Sequence, residues 1–223
     1  MNIVDVIIQD VIALLEREYG LLKWNPKKRH LDVLIETILS QHTSDLNSHR
    51  AFNSLINTFG SWQNTSSAPV EHIAQSIRCG GLSSVKAVRI KKILQSMCNE
   101  GGDFTLDFLE SMSTTEAKDY LISLPGVGLK TANCVLLFSL GRPSLPVDTH
   151  IFRVAKRLGL LGPNVSINKA HSLLQNKIPS SKIYQFHVHV IKHGRQVCHA
   201  KWPRCHECVL EKGCPSSLIP QKI

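Results

Sequence analysis

Long apolar runs are missing from this chain of 223 residues. None approaches the ~18 residues that a helix needs to cross a bilayer, so no membrane partner is expected. No export signal is expected at the N-terminus either. Ile3, Val4, Ile7, Ile8, Val11, Ile12, Leu14 and Leu15 are apolar, but Asp5, Asp10, Glu16 and Glu18 interrupt them. A signal peptide needs a basic start and an unbroken apolar stretch. The pattern instead predicts an amphipathic helix docked on a core. The expected setting is a reducing, cytoplasmic one, in which the seven cysteines serve as buried thiols or metal ligands rather than disulfides. No internal repeat and no low-complexity tract is present, and 43% hydrophobic residues argue against disorder. Acidic residues are scarce: 17 Asp and Glu stand against 26 Lys and Arg, for a formal net charge of +9 and a pI near 9.3. That balance predicts an acidic partner, with nucleic acid ahead of a membrane surface.

What is there is almost all helix. Helical periodicity runs through 2–19, 30–40, 45–59, 70–78, 85–99, 114–123, 129–140, 149–159, 167–176 and 180–193. Gly60, Gly80-Gly81, Gly101-Gly102, Pro125-Gly126, Gly141 to Pro143 and Gly162-Pro163 punctuate these segments. Ser113 and Glu116 form a capping-box pattern. Phe186 to Val190 alternates like a strand, but the spacing of Tyr184, Val188 and Ile191 favours helix. The residues after Cys214 read as a loose tail. The expected fold class is all-α.

Four of the cysteines read Cys198-x6-Cys205-x2-Cys208-x5-Cys214. Structural zinc usually takes two Cys-x2-Cys knuckles, and only one is present. A 4Fe–4S cluster is larger than one ion, and its ligands tolerate wider and less even spacing. The spacing favours the cluster; a zinc ribbon or unrelated buried thiols are the alternatives. Cys79, Cys98 and Cys134 lie in helical patterns and are expected in the core. Between the first two ligands, Lys201 and Arg204 belong either to a rigid phosphate-facing loop or to an ordinary solvated one.

Leu124-Pro125-Gly126-Val127-Gly128 separates two helical segments. Gly126 and Gly128 permit a tight hairpin with bare amides, and a helix start with bare amides binds anions. On DNA such a contact holds phosphate without reading sequence. Lys130 then falls in the first turn of the next helix, where the dipole disfavours positive charge. A lysine that gives up its proton there becomes a nucleophile; a lysine that contacts phosphate needs no such change. Asp148 precedes the helix that holds His150 and is well placed as its N-cap; a carboxylate facing Lys130 is the functional alternative.

Leu124 to Asn133, Val147 to Val154, His193-Gly-Arg195, Gly81-Leu82-x3-Lys86-Ala87 and the four-cysteine spacing resemble endonuclease III, a helix–hairpin–helix DNA glycosylase, over nearly the whole chain. The resemblance implies a six-helix barrel at 24–140, and a discontinuous iron–sulfur domain at 1–23 and 141–223, flanking a DNA-binding cleft. It implies that Lys130 forms a Schiff base with C1′ of a damaged nucleotide, that Asp148 assists departure of the base, and that Cys198, Cys205, Cys208 and Cys214 hold a 4Fe–4S cluster that is structural or tunes DNA binding and does not cleave the bond. Related adenine glycosylases lack the lysine, so both glycosylase and β-lyase activities are implied here. The implied partner is duplex DNA carrying a damaged base or an abasic site, bound by a monomer in the cytoplasm at the nucleoid, with oxidised pyrimidines as the default lesion. A mismatch or modified-pyrimidine glycosylase and a non-catalytic cluster-containing DNA-binding module are the alternatives.

The implied DNA contacts are Gln41, His42, Asp45, Leu82, Lys86, Gly126, Gly128, His150, Lys201 and Arg204. The useful positive charge is expected at Lys86, Lys130, Lys201 and Arg204. One departure concerns the wedge that fills the gap left by a flipped base. The family glutamine falls on His42, with Gln41 one residue earlier, so either side chain suits the role, while Leu82 matches the second intercalating residue. Trp202 stands where a basic residue is usual.

Overall fold

The computed structural model describes residues 3–25, 29–99 and 103–217. The expected break at Gly101-Gly102, the end of the tail beyond 217 and the side chains before Ile8 lie outside the described residues. Among the described residues the α-helices in chain order are α1 Ile3–Tyr19, α2 His30–Leu39, α3 Asp45–Phe59, α4 Trp62–Ser67, α5 Val70–Ser76, α6 Ser83–Asn99, α7 Thr114–Ser123, α8 Leu129–Phe138, α9 Thr149–Arg157, α10 Ile167–Gln175 and α11 Ile183–Gln196, joined by short 3-10 turns. No strand occurs among them, and the fold is all-α. The alternating segment at 186–190 is part of α11.

The chain divides into two compact units, residues 26–142 and residues 1–25 with 143–223. In the first, α2 supplies Leu31, Leu34, Ile35, Ile38 and Leu39, all at most 1% exposed. Their spacing is one stripe of a 3.6-residue period, and α3 and α8 pack against this helix. Ala132, Val135 and Leu136 of α8 and Ile90, Ile93 and Leu94 of α6 close the same core. Each such aliphatic side chain contributes roughly 1.5–3 kcal/mol by leaving water. In the second unit, Ile8, Val11, Ile12 and Leu15 form the buried stripe of α1, which packs on α11.

Local chemistry sets the helix starts. The capping box of α7 is closed in both directions: Ser113 Oγ accepts from the Glu116 amide at 3.2 Å, and Glu116 Oε2 accepts from the Ser113 amide at 2.8 Å. Ser44, Ser61 and Ser166 cap α3, α4 and α10. Helix α4 has no apolar period to announce it. It forms because Trp62 is buried against Phe52 and donates its Nε1–H to Asp32 Oδ1 at 2.9 Å. Two cysteines depart from expectation. Cys134 is buried, but Cys79 and Cys98 are exposed. Cys79 lies in a 3-10 turn after α5, and Cys98 falls one residue past the buried stripe Ile90, Ile93, Leu94, Met97.

Candidate active site

In the unit formed by residues 26–142, the hairpin between α7 and α8 turns at Gly126, whose φ is +76°. The Val127 amide donates to the Leu124 carbonyl at 3.1 Å and closes the turn. A Cβ on Gly126 would lie 2.5 Å from Arg89 Cδ, so the backbone favours glycine and a larger residue must also displace the Arg89 side chain. Gly128 is the N-cap of α8 and brings no capping side chain. The first amides of α8 therefore offer hydrogen bonds to an anion, with the helix dipole adding to their pull. Both glycines are exposed. Lys130, half-buried, is the second residue of this helix, and no ion pair holds it among the described residues.

Gln41 is tied to the same hairpin. Arg89 Nη1 donates to Gln41 Oε1 at 2.8 Å, and Gln41 Nε2 reaches the Gly126 carbonyl at 3.5 Å and Thr131 Oγ1 at 3.4 Å. His42 next to it is exposed, at φ +54°, and Leu82 is 57% exposed at φ +48°. With Trp202 at +56° these are the non-glycine residues of positive φ among the described residues. A left-handed conformation costs such residues roughly 1–2 kcal/mol each, and it persists where surrounding structure enforces it. Asp45, also exposed, opens α3, where a carboxylate complements the helix start.

Lys86 is a correction. It was expected on a DNA-facing surface, yet it is 1% exposed. Its Nζ donates to the Leu39 carbonyl at 2.7 Å and to the Gly80 carbonyl at 2.8 Å. It satisfies the end of α2 and the turn before α6 from within. Burial, then the Arg89 charge, pushes its ammonium below the ordinary lysine value.

In the unit formed by residues 1–25 and 143–223, Asp148 is the N-cap of α9, and its Oδ1 accepts from the Ile151 amide at 2.8 Å. Oδ2 takes no protein partner among the described residues. The extended segment before it is held by side chains in place of a neighbouring strand. Gln175 Nε2 donates to the Pro143 carbonyl at 2.8 Å, and Gln175 Oε1 accepts from the Leu145 amide at 2.6 Å. His171 and His187, both buried, donate Nδ1–H to the carbonyls of Leu145 and Pro146 at 3.1 and 3.0 Å. Asp148 therefore leaves a rigid stalk. His150 accepts at Nδ1 from Arg153 Nη2 at 3.1 Å, which places its ring proton on Nε2. Gly194 explains the glycine of His193-Gly-Arg195: its Cβ would meet His150 Cβ and Arg153 Nη2 at 3.2 Å, so glycine lets α11 approach α9.

Cys198, Cys205, Cys208 and Cys214 line one cavity together with Arg157. Burial, with the other three thiols adding to it, pushes the Cys208 thiol up to about 11, and burial raises Cys214 as well. Gathering four thiolates in that space requires a positive centre among them. Among the described residues no three His, Cys, Asp or Glu side chains are gathered tightly enough for one metal ion. Two cationic or polar groups reach the sulfurs. Arg157 Nη1 donates to Cys198 Sγ at 3.2 Å, and His193 Nε2 lies 3.4 Å from Cys208 Sγ. Tyr19 OH is 3.0 Å from His193 Nδ1. A thiolate at Cys208 fixes the polarity of this chain: Nε2–H donates to sulfur, and the tyrosine hydroxyl donates to Nδ1.

The loop from Val197 to Arg204 is closed by the Arg204 amide donating to the Val197 carbonyl at 3.0 Å. Arg157 also donates to the carbonyls of His199 at 2.6 Å and Ala200 at 3.1 Å, and Arg153 donates to that of Cys198 at 3.0 and 3.1 Å. Lys201 and Arg204 are exposed, and Arg204 also meets Glu207 at 3.4 Å. Sequence reasoning missed Arg89, Arg157, Gln175, His171 and His187. Of these only Arg157 left a signal, its spacing of four from the motif residue Arg153 on α9.

The sequence profile of the HhH-GPD superfamily base excision DNA repair proteins matches residues 35–180. A putative DNA glycosylase of Arabidopsis thaliana is 42% identical over 165 residues, which is 74% of this chain and 56% of that protein, so the chain spans little more than half of this relative. Endonuclease III of Thermotoga maritima is 32% identical over 182 residues, covering 82% of this chain and 81% of that one. Among solved structures, a trapped endonuclease III–DNA covalent intermediate superposes with a TM-score of 0.80 at 27% identity, covering 95% of this chain and 96% of the other. The chain belongs to the HhH-GPD superfamily of base excision DNA repair proteins and is related to endonuclease III.

Proposed function

We propose that this protein is a bifunctional DNA glycosylase and AP (β-) lyase that removes damaged pyrimidines, oxidised ones by default, from duplex DNA through a Schiff base on Lys130. The observation that carries the reading is Lys130 itself, a lysine with no ion pair among the described residues at the uncapped start of α8, where the helix dipole opposes its charge and the amides beside it suit a phosphate. A related endonuclease III is trapped as a covalent intermediate with DNA, which supports covalent chemistry for this chain.

In this reading a damaged nucleotide is flipped from the duplex, which costs a few kcal/mol and least for damaged bases. Lys130 Nζ, as the free amine, attacks C1′. The C1′–N bond breaks and the base leaves with its electron pair. Asp148, through the carboxylate oxygen not used for capping, offsets positive charge on the sugar and takes up the lysine proton. Opening of the sugar ring gives the Schiff base, and loss of a C2′ proton expels the 3′ phosphate. Gly126 and Gly128 free the hairpin amides for phosphate, and His150, Lys201 and Arg204 add contacts. His42, rather than Gln41, fills the gap together with Leu82: Gln41 is engaged by Arg89 and the hairpin, whereas His42 and Leu82 stand exposed on strained backbone.

The four cysteines suit a 4Fe–4S cluster, because they line one cavity and their spacing offers a single Cys-x2-Cys knuckle. When bound, the cluster supplies a structural tie between Cys198 and Cys214. The working species is a monomer on duplex DNA in the cytoplasm. No helix among the described residues is long and apolar enough to cross a membrane.

Borohydride trapping on a duplex with one oxidised pyrimidine tests the reading. A covalent adduct is expected with the wild type and none with Lys130→Ala. Tight binding without any wild-type adduct would overturn it. A panel of lesions under single-turnover conditions then separates oxidised pyrimidines from mismatched or modified ones.

A further inference from the structure

Trp202 is 87% exposed, the most exposed large apolar side chain among the described residues. It is also held at φ +56°, a conformation that a tryptophan adopts only under constraint. The constraint is visible: Arg157 fixes the carbonyls of His199 and Ala200, Arg153 fixes that of Cys198, and the Arg204 amide closes the loop on Val197. Pro203 follows directly and limits the backbone further. The loop thus spends two arginines and a strained residue on standing an indole in water. Core packing gains nothing from it.

The surroundings indicate the class of partner. From Arg195 to His206 the chain carries Arg195, Lys201 and Arg204 and no Asp or Glu. Glu207 follows and is engaged by Arg204 at 3.4 Å and His206 at 3.2 Å. A planar apolar side chain beside Lys201 on a basic loop suits a polyanion with apolar faces between its charges, and DNA has that pattern. Phosphates alternate with deoxyribose and base edges.

We propose that Trp202 is a direct aromatic contact to duplex DNA, its indole packing on deoxyribose or an unstacked base while Lys201 meets the adjacent phosphate. The inference rests on the DNA-binding reading above. It divides the loop's contribution in two. Lys201 supplies a share that salt screens, because neutralising a phosphate releases counterions. Trp202 supplies a share that salt leaves alone, because apolar contact and stacking release none.

The test is equilibrium binding to a duplex carrying an abasic-site analogue, measured across a salt series for the wild type, Trp202→Ala, Trp202→Phe and Lys201→Ala. Trp202→Ala is expected to weaken binding about tenfold at every salt concentration with the slope of log K against log salt unchanged. Trp202→Phe recovers part of the loss. Lys201→Ala reduces the magnitude of the slope by about one. Quenching of tryptophan fluorescence by duplex is expected in the wild type and diminished in Trp202→Phe. Equal binding by the wild type and Trp202→Ala at all salts overturns the inference and leaves the DNA-binding reading intact. No duplex binding by the wild type overturns both. A blue shift on anionic phospholipid vesicles with no response to duplex assigns the indole to a membrane surface instead.

Discussion

The residues singled out for chemistry lie in two settings that differ in how tightly they are held. At the hairpin, Lys130 stands without an ion pair among the described residues, on a helix start that has no capping side chain, and its neighbours Gly126 and Gly128 are exposed. Around Asp148 the opposite holds. Its stalk is fixed by Gln175, His171 and His187, its own Oδ1 caps α9, and the adjoining cysteine segment is gripped by Arg153 and Arg157. An amine that attacks must be unencumbered and must reach its target, whereas a carboxylate that stabilises developing charge acts best when it does not have to reorganise. The difference in restraint matches the difference in proposed role.

The sharpest way to probe the held side is to separate the two uses of Asp148. Asparagine caps a helix about as well as aspartate, so Asp148→Asn keeps the bond to the Ile151 amide and removes only the charge. Its expected effect is a loss of about 10²–10⁴ in the single-turnover rate of base release, with the unfolding midpoint unchanged. Asp148→Ala should add a stability loss of about 1 kcal/mol. A fully active Asp148→Asn protein would reduce this residue to a cap.

Arg157 is the place to break the held side outright. Its guanidinium serves Cys198 Sγ and the carbonyls of His199 and Ala200, so one substitution releases a proposed cluster ligand and the loop together. Hydrogen bonds from a charged donor are worth about 1.5–3 kcal/mol when part-buried. Arg157→Ala is expected to lower stability by about that much and to reduce bound iron per chain, read by metal analysis and visible absorbance. Arg157→Lys should recover little, since one ammonium cannot reproduce the forked contacts. Undiminished iron and stability in Arg157→Ala would count against the tie.

These settings were unequally legible in the sequence. Gly126, Gly128, the Ser113 box and the Asp148 cap were readable because each is decided within four residues by backbone conformation or local capping. Lys86 was misread for the complementary reason. Its partners are carbonyls at positions 39 and 80, one of them 47 residues away, and nothing adjacent to a lysine reveals that tertiary structure will bury it. The same applies to His171, Gln175 and His187, which act on a segment up to 41 residues earlier. Helix α4 escaped because Trp62-Gln-Asn-Thr-Ser-Ser has no periodic apolar face, and the helix depends on one buried indole. The proposal of His42 over Gln41 rests on the position of Arg89, which only the fold supplies.

The loosely held side has one tight point, Gly126 beneath Arg89. Gly126→Ala must accept φ +76° and push Arg89 aside, and a non-glycine residue there costs about 1–2 kcal/mol. The Arg89 contact should add to that. Combining it with Arg89→Ala is expected to recover the contact and leave the backbone cost, so the two changes will not be additive. Because Arg89 also orients Gln41, the double variant separates hairpin strain from that bond. A neutral Gly126→Ala, measured by chemical unfolding, would show that the turn does not need glycine.

The smallest effect is expected from a titration within the held unit. His189 on α11 is 1% exposed, and its Nε2 has no hydrogen-bond partner among the described residues. Burial is the largest influence on it and pushes its pKa below the ordinary 6.5. Lys192 acts in the same direction, while Glu16 and a backbone hydrogen bond at Gly20 oppose. Below pH 6.5 the unfolded chain takes up a proton at this histidine before the folded protein does. Unfolding then gains protons, and stability present at neutral pH declines as pH falls through that window. His189→Gln removes this residue's share. Urea unfolding at pH 7.5 and pH 5.5 should therefore show a larger acid-induced drop in the wild type than in the variant. Equal drops would mean that water reaches the ring and that this part of the α11 packing is looser than the contacts around Asp148.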